Sequence, residues 1–531
     1  MTKLRNLAFR QDYDCSRLPE NIAAEKCLTQ GEYAACDVSD PRWQRHLSKV
    51  DRKFAFHFDR AKSIRSIKLR FFQGIEYAVY YPEFVTIYVS DNGEDWSSLA
   101  RIHTRIPLYD EAESVQTYQW DGKTDGVPGE PQADMVYTRH VRIDVPVDVW
   151  VFMDSIELWG TDEKAETAVV LSGLFTEAAG PAMRGYHAAG ESSGGVHNMV
   201  LLYNGYSKHD DKGDRVPWSR EQLLPFVAYT DSAGRIKDWM FDSVLLLELW
   251  APNGNSFIDH GTPADVNDWR WYLEHTFCRG SMLDMINDHV SHSAEQLQNE
   301  DYRMKAVLMI PYPSDRQAAF GKLAEDGEMM NFDHRSIDPM EAYRHKCTVI
   351  DWYIHEALSR WEAAGYSHLE LAGFYWMNEN VNHKSPGEQD LIRYAGSVVH
   401  ELGLKYYWIP YFEAPGFWRW KELGFDAAIL QPNYFFGDSD AGRIKAAADW
   451  AALYGMGVEI EVNESALKGE HAYNKYADYL EGGAKYGYNS RVLKGYYQDR
   501  LTFYHASLAQ EGLGYDLYHK TYQFIKGARK K

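Results

Sequence analysis

Short apolar runs alternate regularly with helical segments from about residue 196 to the end of the chain. This alternation limits the possible folds more than any other feature of the sequence. Eight runs read as buried strands, and segments of helical periodicity separate them. The runs are Met199–Tyr203, Val244–Trp250, Ala306–Ile310, Leu369–Trp376, Lys405–Tyr411, Ala427–Gln431, Val458–Val462 and Val492–Tyr497. Glycines stand one to four residues before several of these strands, where they can end the preceding helix. The pattern predicts a (β/α)8 TIM barrel.

An open, doubly wound parallel sheet is the alternative arrangement of alternating strands and helices. Such a sheet would lead us to expect a glycine-rich phosphate loop, and the sequence contains neither Gly-x-Gly-x-x-Gly nor a Walker motif. The helical segments themselves carry recognisable ends. Ser385 and Pro386, for example, predict an N-cap and a first helical residue for a helix over 385–402.

Residues 1–162 follow a different pattern, with short alternating strands and little helical periodicity. Examples are Lys53–Phe58, Ile64–Phe72, Phe84–Val89 and His140–Val145, and the step Asn92-Gly93 is typical of a turn. This half predicts an all-β jelly-roll sandwich. Residues 163–195 are interpreted as a linker or a loop leading into the barrel, with Ala168–Leu171 as one further candidate strand, and 196–531 as the barrel domain.

Charge and cysteine content exclude several classes of protein. Asp and Glu outnumber Lys and Arg by 77 to 56, and a net charge of −21 repels nucleic acid and anionic membranes. Five cysteines without a Cys-x-x-Cys pair indicate neither a disulfide framework nor a cysteine zinc site, although one bridge among Cys15, Cys27 and Cys36 stays open. No apolar run is long enough to span a membrane, and the start lacks a signal peptide. The chain as written is therefore expected to be cytoplasmic, or secreted or periplasmic if a signal peptide has been removed.

The ends of the predicted strands are rich in aromatic, amide and carboxylate side chains and poor in basic ones. In a barrel of this kind the active site lies at the carboxyl ends of the strands. The candidate ligand-binding residues there are Tyr203, Asn204, Trp250, Trp376, Asn378, Tyr411, Glu413, Asn433, Tyr434, Asn463, Tyr496 and Asp499. Together with the 15% aromatic content, this lining suits a neutral oligo- or polysaccharide better than a phosphate.

Glu379 and Glu461 are the candidate catalytic pair. Glu379 ends the fourth strand, and on the seventh strand Glu459 and Glu461 alternate with apolar residues, which predicts that both point into the barrel. Glycoside hydrolysis needs two carboxyls, one to protonate the leaving group and one to attack the anomeric carbon or activate water. Strands four and seven lie on opposite sides of a barrel, so these carboxyls can flank a sugar.

The Asn378-Glu379 pair after strand four and Glu461 after strand seven resemble the clan A retaining glycoside hydrolases. The resemblance implies that Glu379 is the acid/base, that Glu461 is the nucleophile and that Asn378 binds the sugar 2-hydroxyl. It also suggests that Tyr434 orients the nucleophile. This clan often has an arginine near strand two and a tryptophan at strand eight. Here Trp250 stands near strand two, and Tyr496 and Tyr497 stand at strand eight. The whole chain is also similar to uncharacterised bacterial domains of unknown function thought to be glycosidases.

The first half resembles discoidin-type (galactose-binding-like, factor 5/8 type C) modules. The matching segments are Leu28–Gly31, Phe56–Asp59, Tyr81–Trp96, Arg139–Ile143 and Asp154–Gly160. The resemblance implies a module that binds glycans or serves as a packing partner. It also implies a structural calcium, although Gln30 stands where the family often has Asp.

Several readings compete at the site. Glu459 or Glu464 could take the role of Glu461, and Glu459 could instead pair with buried Lys494. His289 and His292 lack a third zinc ligand, so no catalytic metal or other cofactor is expected. The function predicted is a glycoside hydrolase with a retaining two-glutamate mechanism, and the alternative is a non-catalytic glycan-binding or scaffold protein on a degenerate barrel. The sugar, endo or exo action, inversion and the oligomeric state stay open.

Overall fold

The computed structural model describes residues 3–47, 51–171, 185–206, 208–209, 215–231, 233–437 and 439–527. The chain divides into two compact units, Met1–Ala182 with Asn382–Pro386, and Met183–Val381 with Gly387–Lys531. Part of the predicted linker, residues 172–184, lies outside the described residues. No helix of the described ranges is long and apolar enough to cross a membrane. All five cysteines are free, so no bridge joins the first three.

The first unit is an antiparallel β-sandwich, as predicted. Its strands are Arg5–Asn6, Asp14–Cys15, Gln44–Leu47, Arg52–Gln73, Phe84–Ser90, Ser97–His103, Ser114–Asp121, Met135–Val145, Trp150–Thr161 and Ala168–Val169. Two of the predicted runs belong to the single strand Arg52–Gln73, which changes register between His57 and Lys62 and pairs with several other strands. The short strand Ala168–Val169 pairs parallel with Met135–Val145. Alternating apolar side chains of these strands form the core.

Short helical turns complete this unit. They are Ile22–Ala24, Cys27–Thr29, Ile75–Tyr77 and Gly122–Asp125. Gln30 follows the second of them, and its exposed side chain donates to the Lys26 carbonyl at 3.3 Å. The calcium implied by the family resemblance stays a prediction.

The second unit is a closed barrel of eight parallel strands with helices between them. The strands, first to eighth, are Asn198–Tyr203, Ser243–Leu247, Met304–Ile310, Leu369–Trp376, Lys405–Trp408, Ala427–Leu430, Gly457–Glu461 and Lys494–Tyr497. Each overlaps one of the eight predicted runs, and the eighth pairs with the first to close the ring. Strands buried on both faces read as continuous apolar runs, which is why the sequence shows them clearly.

Helices follow most of the barrel strands. They are Arg220–Val227, Val266–Phe277, Met282–Gln296, Pro339–Ala364, Glu388–Glu401, Gly442–Tyr454, Glu470–Tyr486, Thr502–Leu508 and Gly512–Ile525, with shorter turns at Glu191–Ser193, Phe417–Arg419 and Glu464–Leu467. Two small hairpins, Lys208–His209 with Arg215–Val216 and Ala228–Thr230 with Ile236–Trp239, lie after the first strand.

The predicted start of one helix is wrong. The helix begins at Glu388 rather than at Pro386, because Gly387 takes a left-handed φ of 71° immediately before it. By contrast, the glycine after the preceding long helix, Gly365, has the left-handed conformation predicted for a helix end.

Candidate active site

The seventh and eighth strands set which side chains share the inner face of the barrel. Their register pairs Glu459 with Gly495, Ile460 with Tyr496 and Glu461 with Tyr497. Because paired residues of neighbouring strands point to the same face, Glu459, Glu461 and Tyr497 share one face, and Tyr496 lies on the other. Tyr496 is fully buried, and its hydroxyl donates to Asn198 at 3.0 Å. The prediction that Tyr496 binds a ligand is therefore wrong, and Tyr497 takes that position.

Glu379 lies just after the fourth strand, at the carboxyl end of the barrel. Its side chain is exposed at that end of the barrel. Partial removal from water raises the pKa of Glu379 to about 7, a hydrogen bond with Gln431 lowers it, and the charge of Glu461 raises it. Solvent that reaches the exposed carboxyl weakens the effect of the surrounding protein.

Glu461 has the opposite environment, since only 1% of its surface is exposed. The backbone N–H of Asn433 donates to Oε1 at 2.9 Å, and the side-chain amide of Asn433 approaches the same oxygen at 3.4 Å. The N–H groups of Tyr434 and Phe435 approach Oε2 at 3.1 and 3.4 Å, and the Tyr479 hydroxyl donates to it. Asn433 has a left-handed φ of 47°, which turns these successive N–H groups toward the carboxylate.

The charge state of Glu461 follows from these partners. Burial raises its pKa, while the Tyr479 hydroxyl and the three backbone N–H groups lower it. These donors favour the ionised form of Glu461 and oppose the effect of burial.

The predicted role of Tyr434 is wrong in its chemistry. Its hydroxyl donates to Asp478 at 2.7 Å, and only its backbone N–H reaches Glu461. The phenol that holds Glu461 belongs to Tyr479, on the helix Glu470–Tyr486, whose ring packs edge-on against Tyr434 at 5.7 Å between centroids. The sequence offers no signal for Tyr479, because it lies in the middle of a helix and far from any strand end.

Glu459 lies one layer below Glu461 and is 2% exposed. Its Oε1 is buried without a hydrogen-bond partner. Burial and the charges of Glu461 and Glu379 raise the pKa of Glu459 well above the ordinary value, which favours its neutral form. The predicted pairing of Glu459 with Lys494 is wrong, because Lys494 lies opposite Val458 in the register and donates to the Val492 carbonyl at 2.8 Å. Burial lowers the pKa of Lys494 to about 8.

An arginine that sequence reasoning missed, Arg500, follows the eighth strand, next to the seventh. The Arg500 guanidinium lies over the rings of Tyr206 and Tyr203, at 3.7 and 4.6 Å from their centroids, and 3.9 Å from an oxygen of Glu248. Glu248 is fully buried and accepts the N–H groups of Gly205 and Leu249, each at 2.9 Å. Burial raises the pKa of Glu248, and Arg500 lowers it. The positive charge of Arg500 thus compensates the buried acid Glu248. In the sequence, only the position of Arg500 after the eighth strand pointed to this residue.

Two tyrosines meet beside this arginine. The hydroxyls of Tyr203 and Tyr497 are 3.5 Å apart. Burial raises the pKa of Tyr203 well above its usual value, and the charges of Glu379 and Glu248 add to this. The charge of Glu379 thus reaches the predicted residue Tyr203. Tyr497 was not among the predicted residues.

Four predicted ligand-binding residues have structural contacts instead. Trp376 has no exposed surface, and Asn204 is 1% exposed, with its amide donating to Thr276 at 2.8 Å. The Asn463 side chain accepts from the Ser465 N–H at 2.9 Å and caps a short helix. The Asn378 amide donates to the Asn380 carbonyl at 3.0 Å. Of these, Trp376 and Asn204 are closed to a ligand in this structure.

The remaining predicted residues keep surface that a ligand could reach. Trp250, Tyr411, Asn433 and Asp499 are half-buried, and Glu413 is exposed. Asp499 has a left-handed φ of 60°, and burial raises its pKa.

Glu464, an alternative to Glu461 in the prediction, accepts from the His505 imidazole at 2.8 Å. It begins the short helix Glu464–Leu467. Its carboxyl is thus already engaged beside the site.

No group of three or more His, Cys, Asp or Glu residues in the described ranges could hold a metal ion. His289 is buried and pairs with the Arg220 carbonyl at 2.7 Å. His292 contacts Gln296 at 3.4 Å, so the two histidines do not converge.

Comparison with protein families gives one match. Residues 198–523, more than half of the chain and most of the barrel unit, match a family described as "Domain of unknown function (DUF4855)". No curated protein matches the chain.

Several solved structures resemble the N-terminal region of this chain. A fucose binding module from Streptococcus pneumoniae is 11% identical, with 29% of this chain and 95% of that chain covered and a TM-score of 0.20. An F5/8 type C domain from Bacteroides fragilis is 10% identical, covering 30% and 97%, with a TM-score of 0.20. A putative alpha-L-fucosidase from Bacteroides thetaiotaomicron is 9% identical, covering 30% and 29%, with a TM-score of 0.20. Likenesses at this level carry no inference about what this chain does.

Proposed function

Because the chain belongs to the family described as "Domain of unknown function (DUF4855)", whose description names no activity, we propose its function from the site itself. The protein is a glycoside hydrolase that acts on a neutral oligo- or polysaccharide, and Glu379 is its proton donor. The observation that carries the proposal is the open carboxyl of Glu379 at the carboxyl end of the barrel, together with buried Glu461, whose two oxygens accept from backbone N–H groups and from the Tyr479 hydroxyl. Burial and the charge of Glu461 raise the pKa of Glu379 to about 7. A general acid works best when its pKa is close to the working pH.

The surroundings of Glu379 support this reaction class. A closed eight-stranded parallel barrel with catalytic groups at its carboxyl end is the arrangement of (β/α)8 TIM barrel enzymes. The charge of Glu461 helps keep Glu379 protonated, as required of an acid that protonates a leaving-group oxygen. Half-buried Trp250 and Tyr411 at the strand ends are suitable surfaces for sugar rings.

The second catalytic role in the predicted retaining mechanism stays a prediction. Burial counts against Glu461 as a nucleophile. Its five converging donors also count against this role, because they occupy the roughly four acceptor positions of a carboxylate. The same contacts suit Glu461 to a role as a fixed negative charge. For the first unit, glycan binding likewise stays a proposal.

The test is hydrolysis of a glycan library by the parent protein and by two variants. Glu379→Gln keeps the size of the side chain but has no acidic proton, and it should lower kcat by about 10²–10⁴-fold on any substrate found. Glu401→Gln is the matched control, since Glu401 is an exposed glutamate on the helix Glu388–Glu401. Equal activity of Glu379→Gln and the parent protein would show that the acid is another residue, and no hydrolysis across the library would rule out the proposed function.

A further inference from the structure

The end of the sixth strand carries a buried amide that contacts Glu379. Gln431 directly follows the strand Ala427–Leu430. Its backbone N–H donates to the Pro410 carbonyl at 3.0 Å, and its side-chain Nε2 donates to the Ile409 carbonyl at 2.9 Å. The same side chain forms a hydrogen bond with Glu379. Gln431 is therefore tied to the segment that follows the fifth strand at the same time as it contacts the proposed proton donor.

The orientation of the Gln431 amide follows from its neighbour Asn433. The Oδ1 of Asn433 accepts the backbone N–H of Phe412 at 2.8 Å, so the Nδ2 of Asn433 must point the other way. That Nδ2 lies 3.1 Å from Oε1 of Gln431 and 3.4 Å from Oε1 of Glu461. The oxygen of the Gln431 amide therefore faces Asn433, and the nitrogen lies on the other side of the amide.

An amide nitrogen at this place favours the ionised form of Glu379. One N–H of the Gln431 amide goes to the Ile409 carbonyl, and the second is the donor that a carboxylate oxygen of Glu379 accepts. A hydrogen bond to an ionised acceptor is roughly twice as strong as one between neutral groups. The charge of Glu461 has the opposite effect, because it favours the protonated form of Glu379. The two neighbours thus act on one carboxyl in opposite directions.

We infer, on the basis of the proposed function, that Gln431 is the positioning residue of Glu379. Its amide holds the acid at the carboxyl end of the barrel and stabilises the carboxylate that Glu379 becomes when its proton passes to the leaving-group oxygen. The hydrogen bond strengthens as this negative charge develops, and an interaction that strengthens in the transition state lowers the barrier. Asn433 and the Ile409 carbonyl fix the amide before the reaction begins, as effective electrostatic stabilisation requires.

The pH profile of kcat tests this role in the full chain, on the best substrate that the glycan library provides. Gln431→Met keeps a side chain of similar length and removes the donor. The fall of kcat at about pH 7 should then move to higher pH by about half to one unit, because the pKa of Glu379 rises. Gln431→Asn withdraws the amide by one methylene group and should move the profile in the same direction, which keeps the test decisive if Gln431→Met does not fold.

The direction of the shift distinguishes positioning from packing. A residue that only supports the fold would lower kcat at every pH and leave the position of its fall unchanged, and this result would overturn the inference. Gln296→Met is the matched control, because Gln296 is an exposed glutamine at the end of the helix Met282–Gln296. Its pH profile should match that of the parent protein.

A direct titration of Glu379 separates the inference from the proposed function. Carbon NMR of the full chain with isotope-labelled glutamate carboxyl groups, in which Glu379→Gln identifies the signal of Glu379, should show a raised pKa of Glu379 in both Gln431 variants. An unchanged pKa would overturn the inference and leave the glycosidase proposal standing wherever the parent protein hydrolyses a glycan. A raised pKa in a protein that hydrolyses no glycan would overturn the proposed function and, with it, the part of Gln431 in catalysis.

Discussion

Replacing Tyr479 by phenylalanine tests whether Glu461 is ionised, on which the description of the site depends. Tyr479 is fully buried, and its hydroxyl donates to Oε2 of Glu461. Phenylalanine keeps the ring in its packing against Tyr434 and removes only the hydroxyl. A hydrogen bond to a charged group contributes about 1.5–3 kcal/mol to stability, whereas one between neutral groups contributes about 0.5–1.5 kcal/mol. We therefore expect Tyr479→Phe to lower the free energy of unfolding by about 2 kcal/mol.

The same helix provides the control. Tyr476 is also buried, and its hydroxyl pairs with the neutral hydroxyl of Thr521. Tyr476→Phe should lower the free energy of unfolding by about 1 kcal/mol. Both variants are measured by urea denaturation of the full chain, followed through the transition in which the barrel unit unfolds, as shifts of the midpoint at constant slope.

The pH dependence sharpens the comparison. The Tyr479 hydroxyl lowers the pKa of Glu461, so the stability it adds is present while Glu461 is ionised and is lost as falling pH protonates the carboxyl. The gap between Tyr479→Phe and Tyr476→Phe should therefore narrow at acidic pH. Equal losses from the two variants at neutral pH would refute the reasoning, because they would mean that Tyr479 contacts a neutral carboxyl.

Three further predictions concern the site and its support. The kcat for hydrolysis should fall as pH rises through about 7, because Glu379 must hold its proton to act as the acid. A kcat that rises across this range in a pH series would contradict the role of Glu379 as proton donor. In Glu461→Gln, the residual kcat should begin to fall at lower pH than in the parent protein, because the charge that raised the pKa of Glu379 has been removed. A pH profile of kcat that does not shift would indicate that Glu461 and Glu379 do not interact. Gly205→Ala should lower the free energy of unfolding by about 1–3 kcal/mol, because its Cβ would lie 2.9 Å from the carboxyl carbon of Glu248 and nearer still to one oxygen. Gly437→Ala, whose Cβ would meet nothing closer than 3.7 Å, is the matched control, and thermal unfolding that does not distinguish the two variants would disprove the steric argument.

Much of the architecture could be predicted from the sequence because it depends on local pattern. All eight barrel strands appear where continuous apolar runs predict them, since both faces of such strands are buried. The alternation along Gly457–Glu461 placed Glu459 and Glu461 on one face, as the structure has them. The last strand had no such alternation to read, because two tyrosines follow each other in it. The choice of Tyr496 over Tyr497 was therefore wrong.

The sequence by itself determined which elements form and which acids stand at their ends. Only the tertiary structure decided what those acids are able to do. Glu379, Glu459 and Glu461 are the same residue type, yet one is open to solvent, one is buried with an oxygen that receives no donor and one is buried among five donors. The pKa of a carboxyl depends on its distance from water, from other charges and from hydrogen-bond donors. At Glu461 the donors come from a turn after another strand and from a helix further along the chain, and only folding brings them to the carboxylate.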